Sequence, residues 1–195
     1  MSWQEEHKNN SQPIDYNSKL FTNYFYQYLY IKMITKEMVI QTITKEVGTI
    51  KHLADKILPD THNWKPTENQ RSILELLQYL SHIGTTYSQM LTTGKIDHFN
   101  DNAEKAKEMT PDQFNSKMDR ELVTMTNTIN GLTDTDLETK MIFFGGGEVT
   151  KSWIVLFLME NLIAYRMQLF LYLKQSGRPE LSTFNNWMGM DAPQQ

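Results

Sequence analysis

The 195-residue sequence contains no cysteine, which excludes disulfide bonds, thiolate metal ligands and a cysteine nucleophile. It has no run of lysine and arginine, and its formal net charge of −4 argues against a protein that binds nucleic acid by neutralising phosphates. A secretory signal pattern is missing from its first residues. We therefore expect a cytoplasmic protein without a nucleic-acid partner.

Turn-forming residues are also scarce. The chain has only 9 glycines and 6 prolines, whereas leucine, methionine, lysine, glutamate and glutamine are common. This composition favours helices over the turn-rich pattern of an all-β protein. The length suits one domain with a sizeable core. The composition therefore predicts an all-α protein.

The most apolar stretch, residues 150–176, carries apolar side chains on nearly every face and is long enough for about seven helical turns. Glu160 and Arg166 lie in its middle, and charged groups there would make insertion into a membrane costly. We therefore predict a central, buried helix rather than a membrane span.

One polar stripe interrupts this helix. Asn161, Tyr165 and Gln168 stand at positions i, i+4 and i+7, so they share a face. A core helix with such a stripe indicates either a pocket or a second interface.

Three further helices are predicted upstream, over residues 35–58, 72–91 and 110–130. Ser72 and Glu75 match a capping box at the start of the second, and Thr110 and Gln113, with Pro111, match one at the start of the third. The polar link between them, residues 92–109, is long for neighbouring helices and suggests a crossover. Four main helices in one compact domain predict a four-helix bundle.

The two ends of the chain are assigned to separate segments. Residues 1–34 form an arm with an aromatic extension, Leu20 to Ile34, that packs on the domain or on a second copy; alternatively, Met33 or Met38 is the physiological start. Residues 35–181 form the bundle, and residues 182–195 form a tail.

Other motifs match known sites poorly. The segment Gly145 to Ser152 resembles a phosphate-binding loop, but Thr150 replaces its second glycine, and we interpret the glycines as a flexible turn. His62 and His98 are predicted to be surface or loop residues, and Asp134 and Asp136 to cap a turn or short helix.

Two stretches together resemble the DinB/YfiT-like superfamily. WKPTENQRSILELLQYLSHI is similar to its tryptophan-proline loop and second helix, and ENLIAYRMQLFLYLKQSGRPEL is similar to its last helix. The resemblance implies a four-helix bundle of up-down-down-up order, often dimeric, whose crossover corresponds to the long link.

The superfamily also implies a divalent metal held by three histidines, at positions that correspond to Tyr79, Asn161 and Tyr165 here. A neutral phenol or amide is a poor substitute for imidazole on zinc or nickel. We therefore predict that the metal site is lost and that no cofactor is bound. The three positions remain polar, so a pocket between the second and last helices is expected, which Glu75 and His82 could join.

Three hypotheses for function remain. The first is a small-molecule pocket without metal, for which the predicted lining residues are Glu75, Tyr79, His82, Asn161, Tyr165 and Gln168. A packed amide-phenol network that fixes the helix register is its structural alternative. The second is a metal-dependent thiol transferase or hydrolase, with zinc or nickel on relocated ligands such as His82, Glu75 and Glu160. The third is a structural homodimer, and the sequence does not decide whether the chain is an enzyme.

Overall fold

A computed structural model of the chain describes residues 34–193. The predicted arm, the aromatic extension apart from Ile34, and the alternative start at Met33 lie outside the described residues. The main helices run as follows: α1 Lys36–Ala54, α2 Ile73–Thr93, α3 His98–Ala106, α4 Phe114–Gly131, α5 Asp134–Glu138 and α6 Lys151–Gln175. The two short strands are β1 Lys140–Ile142 and β2 Glu148–Thr150.

The long helices α1, α2, α4 and α6 form an up-down-down-up bundle, which confirms the predicted fold. α1 packs against α4 and α6, and α2 packs against the same two helices from the other side. Leucine, isoleucine and methionine fill the space between the four helices, and Ile50, Leu80, Met118 and Leu162 have no exposed surface. Burial of these apolar stripes is the main force that holds the bundle together.

The predicted capping boxes mark where the helices begin. The backbone N–H of Ser72 donates to Glu75 Oε2 at 2.7 Å, and the N–H of Glu75 donates to Ser72 Oγ at 3.2 Å. At Thr110 the same motif begins a turn of 3₁₀ helix, Pro111–Gln113, that leads into α4. Both boxes confirm the prediction from the sequence.

The crossover contains a helix that the sequence analysis did not predict. Helix α3 lies within the polar link and packs on α2. Phe99 and Ala103 are partly buried and Ala106 is buried, as is part of Ile96 just before the helix, so α3 has a narrow apolar face. Four apolar residues among so many polar ones produce a weak periodic signal, which explains the omission.

A β-hairpin replaces the predicted flexible turn. Strands β1 and β2 pair antiparallel, with Met141 opposite Val149. Gly145 and Gly146 have φ angles of 82° and 85°, a conformation that side chains disfavour and that closes the hairpin. The segment that resembled a phosphate-binding loop therefore forms a hairpin, and Thr150 caps α6 by accepting from the N–H of Trp153 at 3.3 Å.

Helix α6 is the core helix of the bundle. Within residues 34–193 it is the helix whose length and apolar composition would allow it to cross a membrane, a test that core helices of soluble proteins also pass. Leu158, Leu162 and Leu169 are fully buried against the other helices. Arg166, in the same helix, is 1% exposed and forms an ion pair with Glu46 of α1. These contacts support the predicted buried helix.

The predicted tail packs on the bundle instead of extending from it. It includes a turn of π-helix, Phe184–Met188, in which Asn185 and Asn186 are buried. Arg166 Nη1 donates to both the backbone oxygen and Oδ1 of Asn186, and the Arg166 guanidinium lies 5.0 Å from the ring of Trp187. The tail thus provides hydrogen-bond acceptors for the buried guanidinium of Arg166, a contact that the sequence did not reveal.

Candidate functional site

The packing of α2 against α6 brings together the three polar residues at the positions of the implied metal ligands. Tyr79 Oη donates to Asn161 Oδ1 at 3.4 Å, a long hydrogen bond. The rings of Tyr79 and Tyr165 lie 4.6 Å apart, and Asn161 Nδ2 donates to the carbonyl of Phe157 at 2.8 Å. The three side chains therefore contact one another instead of surrounding an open space.

This donor set fits a divalent metal poorly. Burial, with the nearby Tyr165, raises the pKa of Tyr79 far above its usual value, so it remains a neutral phenol. The Asn161 amide is neutral as well. Neutral phenol and amide groups cannot replace three imidazoles on zinc or nickel. We therefore derive no chemical step through a metal at these positions.

The relocated ligands also remain apart. Glu75 and His82 both face one cleft, but Glu160 is exposed on α6 and is absent from the lining of that cleft. Among residues 34–193, no three side chains of His, Asp or Glu come close enough to hold a metal ion.

A cleft of about 450 Å³ opens between α2 and the crossover helix α3. Three of the predicted lining residues, Glu75, Tyr79 and His82, lie along it. The remaining residues of its lining are Arg71, Gln78, Phe99, Ala103 and Lys107. The cleft thus combines an aromatic wall with charged groups.

The other three predicted lining residues lie outside this cleft. Asn161 and Tyr165 contact Tyr79 from α6. Gln168 is further along α6, where its Nε2 donates to the hydroxyl of Tyr172 at 2.6 Å. The polar stripe of α6 therefore makes two separate contacts, one between Asn161, Tyr165 and Tyr79 and the other between Gln168 and Tyr172.

Arg71 and Phe99 are the functional candidates that sequence reasoning missed. Arg71 directly precedes Ser72, the N-cap of α2, so it lies outside the helical repeat, but its position next to the capping box was a usable signal for a residue near Glu75. Phe99 offered none, because only the fold of the crossover brings it to 5.8 Å from the His82 ring.

His82 is a buried, neutral imidazole at the inner end of the cleft. Its side chain is held by Thr86, since His82 Nδ1 and Thr86 Oγ1 lie 3.1 Å apart. Burial lowers the pKa of His82 to about 4, which keeps it uncharged at neutral pH. Its Nε2 atom has no hydrogen-bond partner among the described residues. One ring nitrogen therefore remains for a ligand.

The crossover helix holds His82 in place from the other side. Asn102 Nδ2 donates to Thr86 Oγ1 at 3.0 Å and to Gln89 Oε1 at 2.7 Å. Gln78 in turn donates to the backbone oxygen of Lys107 at 2.9 Å. Hydrogen bonds from the middle of α3, at Asn102, and from its C-terminal end, at Lys107, thus hold α3 against α2 along the cleft.

A smaller cavity of about 130 Å³ lies on the far side of His82, between α2, α3 and α4. Its main polar group is Glu121, a buried carboxylate that accepts from the N–H and the Oγ1 of Thr85, each at 2.6 Å. Burial raises the pKa of Glu121, although these hydrogen bonds and Lys117 oppose the shift. Because Thr85 already provides hydrogen bonds to both oxygens of this carboxylate, its burial requires no bound ligand.

The remaining polar residues singled out in the sequence have structural positions. His62 lies in the loop after α1, where its Nδ1 is 2.8 Å from the carbonyl of Pro59, and His98 begins α3. Asp136 completes a capping box with Thr133 at the start of α5, which confirms that it caps a short helix, and Asp134 is the first residue of that helix.

Comparisons with known proteins agree with this architecture. The sequence matches the DinB family over residues 29–191. The structure is similar to that of YjoA, a DinB-like protein from Bacillus subtilis, with a TM-score of 0.58 and 21% sequence identity, over 74% of this chain and 94% of that chain. No curated protein matches the sequence. The chain therefore belongs to the DinB family.

Proposed function

We propose that this DinB family member binds a small organic molecule, without a metal, in the cleft between α2 and α3. The observation that carries the proposal is the cleft itself, whose volume of about 450 Å³ falls in the range of ligand sites. Tyr79 and Phe99 supply apolar area, and His82 adds a ring nitrogen with no partner among the described residues. Apolar walls with few polar groups are typical of small-molecule sites.

The metal-free part of the proposal rests on the donor chemistry. Tyr79, Asn161 and Tyr165 occupy the positions of the implied ligands and contact one another. A metal-dependent transferase or hydrolase would need other ligands, and Glu75, His82 and Glu160 do not gather around one point. The homodimer and the cytoplasmic location stay predictions from the sequence.

Binding in the cleft can be tested with three probes that share a naphthalene ring and differ in charge. Uniformly ¹⁵N-labelled protein is titrated separately with 2-naphthoate, 2-naphthamide and 2-naphthylmethylamine. We expect at least one probe to shift amide signals of residues on α2 and α3. The variant Ala103→Trp, which places an indole in the cleft, should abolish those shifts.

The matched control is Ala164→Trp, which adds the same side chain at an exposed position of α6. It should leave the shifts unchanged. The proposal is wrong if no probe shifts these signals, or if both tryptophan variants behave alike.

The metal-free part needs its own measurement. Elemental analysis of tag-free protein purified without chelator, followed by calorimetric titration with zinc and nickel, should find no stoichiometric metal and no binding heat. Near-stoichiometric metal with tight binding would contradict the proposal and direct attention to Glu75, His82 and Glu160.

A further inference from the structure

The cleft holds a cation in a defined orientation. The guanidinium carbon of Arg71 lies 4.3 Å from the ring centroid of Tyr79 and 5.8 Å from that of Tyr165. A guanidinium over an aromatic face is attracted by the negative charge of the ring face. Two phenol rings therefore position an exposed arginine at the wall of the cleft.

The hydrogen-bond donors of this arginine are unused within the protein. Among residues 34–193, the Arg71 guanidinium forms no ion pair or hydrogen bond. By contrast, Arg166 pairs with Glu46, and Arg178 pairs with Glu180 at 2.6 Å. The contacts with the two rings use none of the N–H donors of Arg71 in hydrogen bonds, and these donors can bind a carboxylate through two hydrogen bonds.

Other charges in the cleft are already engaged. Lys107 forms an ion pair with Glu104 at 2.6 Å. Glu75 Oε2 accepts the backbone N–H of Ser72 at 2.7 Å in the capping box, at the N-terminus of α2, where a negative charge is stabilised. Arg71 is therefore the charged group of the cleft lining that has no partner in the described structure.

We propose that the ligand of this cleft is an aromatic or apolar carboxylate. Its carboxylate would bind the N–H edge of Arg71, and its body would lie along Tyr79, His82 and Phe99, whose rings line the cleft. This inference rests on the proposed function, because it names the ligand class of the same site.

The test compares two of the probes, which share a ring system and differ in charge. 2-Naphthoate and 2-naphthamide are titrated calorimetrically at low ionic strength, where an exposed ion pair is least screened. We expect the carboxylate to bind at least tenfold more tightly than the amide. Arg71→Gln should weaken naphthoate binding about tenfold and change naphthamide binding less than twofold.

Two further variants separate the role of the paired N–H donors of the guanidinium from the role of its charge alone. Arg71→Lys keeps the charge but loses the bidentate edge, and it should bind naphthoate with intermediate affinity. Arg120→Gln removes one charge from an exposed position of α4 outside the cleft lining, and it should bind naphthoate like the unaltered protein.

The possible results distinguish this inference from the proposed function. Equal binding of the two probes in the cleft, or equal effects of Arg71→Gln and Arg120→Gln, would overturn the carboxylate inference and leave the binding function standing. Failure of all three naphthalene probes to bind in the cleft would overturn both.

Discussion

The carboxylate of Glu121 lies directly against the backbone of Gly84, where a Cβ atom would come within 2.8 Å of Glu121 Oε2. The absence of a side chain at position 84 lets α4 approach α2 closely enough for Glu121 to accept the N–H of Thr85. A glycine in the middle of a helix is normally destabilising, so this one serves the contact between the helices.

Gly84→Ala should therefore destabilise the protein by about 1–3 kcal/mol, because the added methyl group meets Glu121 and Met125 in a packed interface. Urea denaturation measures the effect. The matched control is Gly48→Ala in α1, where nothing lies within 4 Å of the new Cβ. That substitution should stabilise the protein by about 0.5–1 kcal/mol through helix propensity. Equal effects of the two substitutions would contradict the packing argument.

The buried imidazole of His82 should make stability depend on pH. Its folded pKa of about 4 is below the ordinary value of 6.5, so between these values the unfolded chain takes up a proton that the folded protein does not. Stability should fall by about 3 kcal/mol as the pH is lowered across this window.

His82→Asn, which retains a polar group for Thr86, should remove that part of the pH dependence. Urea denaturation at pH 7.5 and 4.5 measures it. The pKa of His52 is also lowered, through partial burial and the nearby Lys56. The variant His52→Asn therefore measures how much of the pH dependence comes from this second histidine. An unchanged pH dependence in His82→Asn would show that this imidazole is not the cause.

The ion pair between Arg166 and Glu46 should be sensitive to the loss of one partner. Arg166→Met leaves Glu46, which is 3% exposed, with only the half-exposed Lys45, whose Nζ lies 3.6 Å from Glu46 Oε1, and we expect a loss of about 3–5 kcal/mol. The double variant Arg166→Met/Glu46→Met should be more stable than Arg166→Met, because it also removes the buried carboxylate that has lost its buried partner. A double variant that is less stable than the single one in urea denaturation would refute this account.

Restoring the histidines should create a metal site. Tyr79, Asn161 and Tyr165 already converge, with 4.6 Å between the two phenol rings and 3.4 Å between Tyr79 Oη and Asn161 Oδ1. The triple variant Tyr79→His/Asn161→His/Tyr165→His should bind zinc at least a hundredfold more tightly than the unaltered protein in calorimetric titration. If both proteins bind zinc equally, the side chains at these three positions do not determine whether the protein binds a metal.

Asn161 and Tyr165 also distinguish a packed network from an empty pocket. In the structure, Asn161 Nδ2 donates to Phe157 and the two phenol rings are in contact, so Asn161→Leu/Tyr165→Leu should lower stability by more than 2 kcal/mol. Thermal unfolding measures the change. Stability that holds or rises would instead favour an unfilled pocket between α2 and α6.

Local patterns predicted the parts of the fold that depend on local physics. The capping box of Ser72 and Glu75 and the apolar run of α6 act within one segment, and both appear in the structure as the sequence indicated. The convergence of Tyr79 with Asn161 depended on the family resemblance, since the two residues are 82 positions apart in the chain.

Features made by distant segments could not be predicted in this way. The cleft needs the crossover helix to bring Phe99 to His82, and the burial of Arg166 needs the last residues of the chain to fold back. Neither contact leaves a periodic signal, because one residue of each pair stands in a polar stretch. Arg71 was the exception, since its place next to the capping box of Ser72 and Glu75 was visible in the sequence.

The anchoring of Arg166 by Asn186 has a consequence for biosynthesis. A buried cation in the core helix lacks two of its acceptors until residue 186 has left the ribosome. The nascent chain can form its helices earlier, but Arg166 gains these acceptors only after Asn186 has emerged. Chains truncated before Asn186 should therefore leave the buried Arg166 without these two acceptors, so that the bundle helices form around an incompletely paired cation.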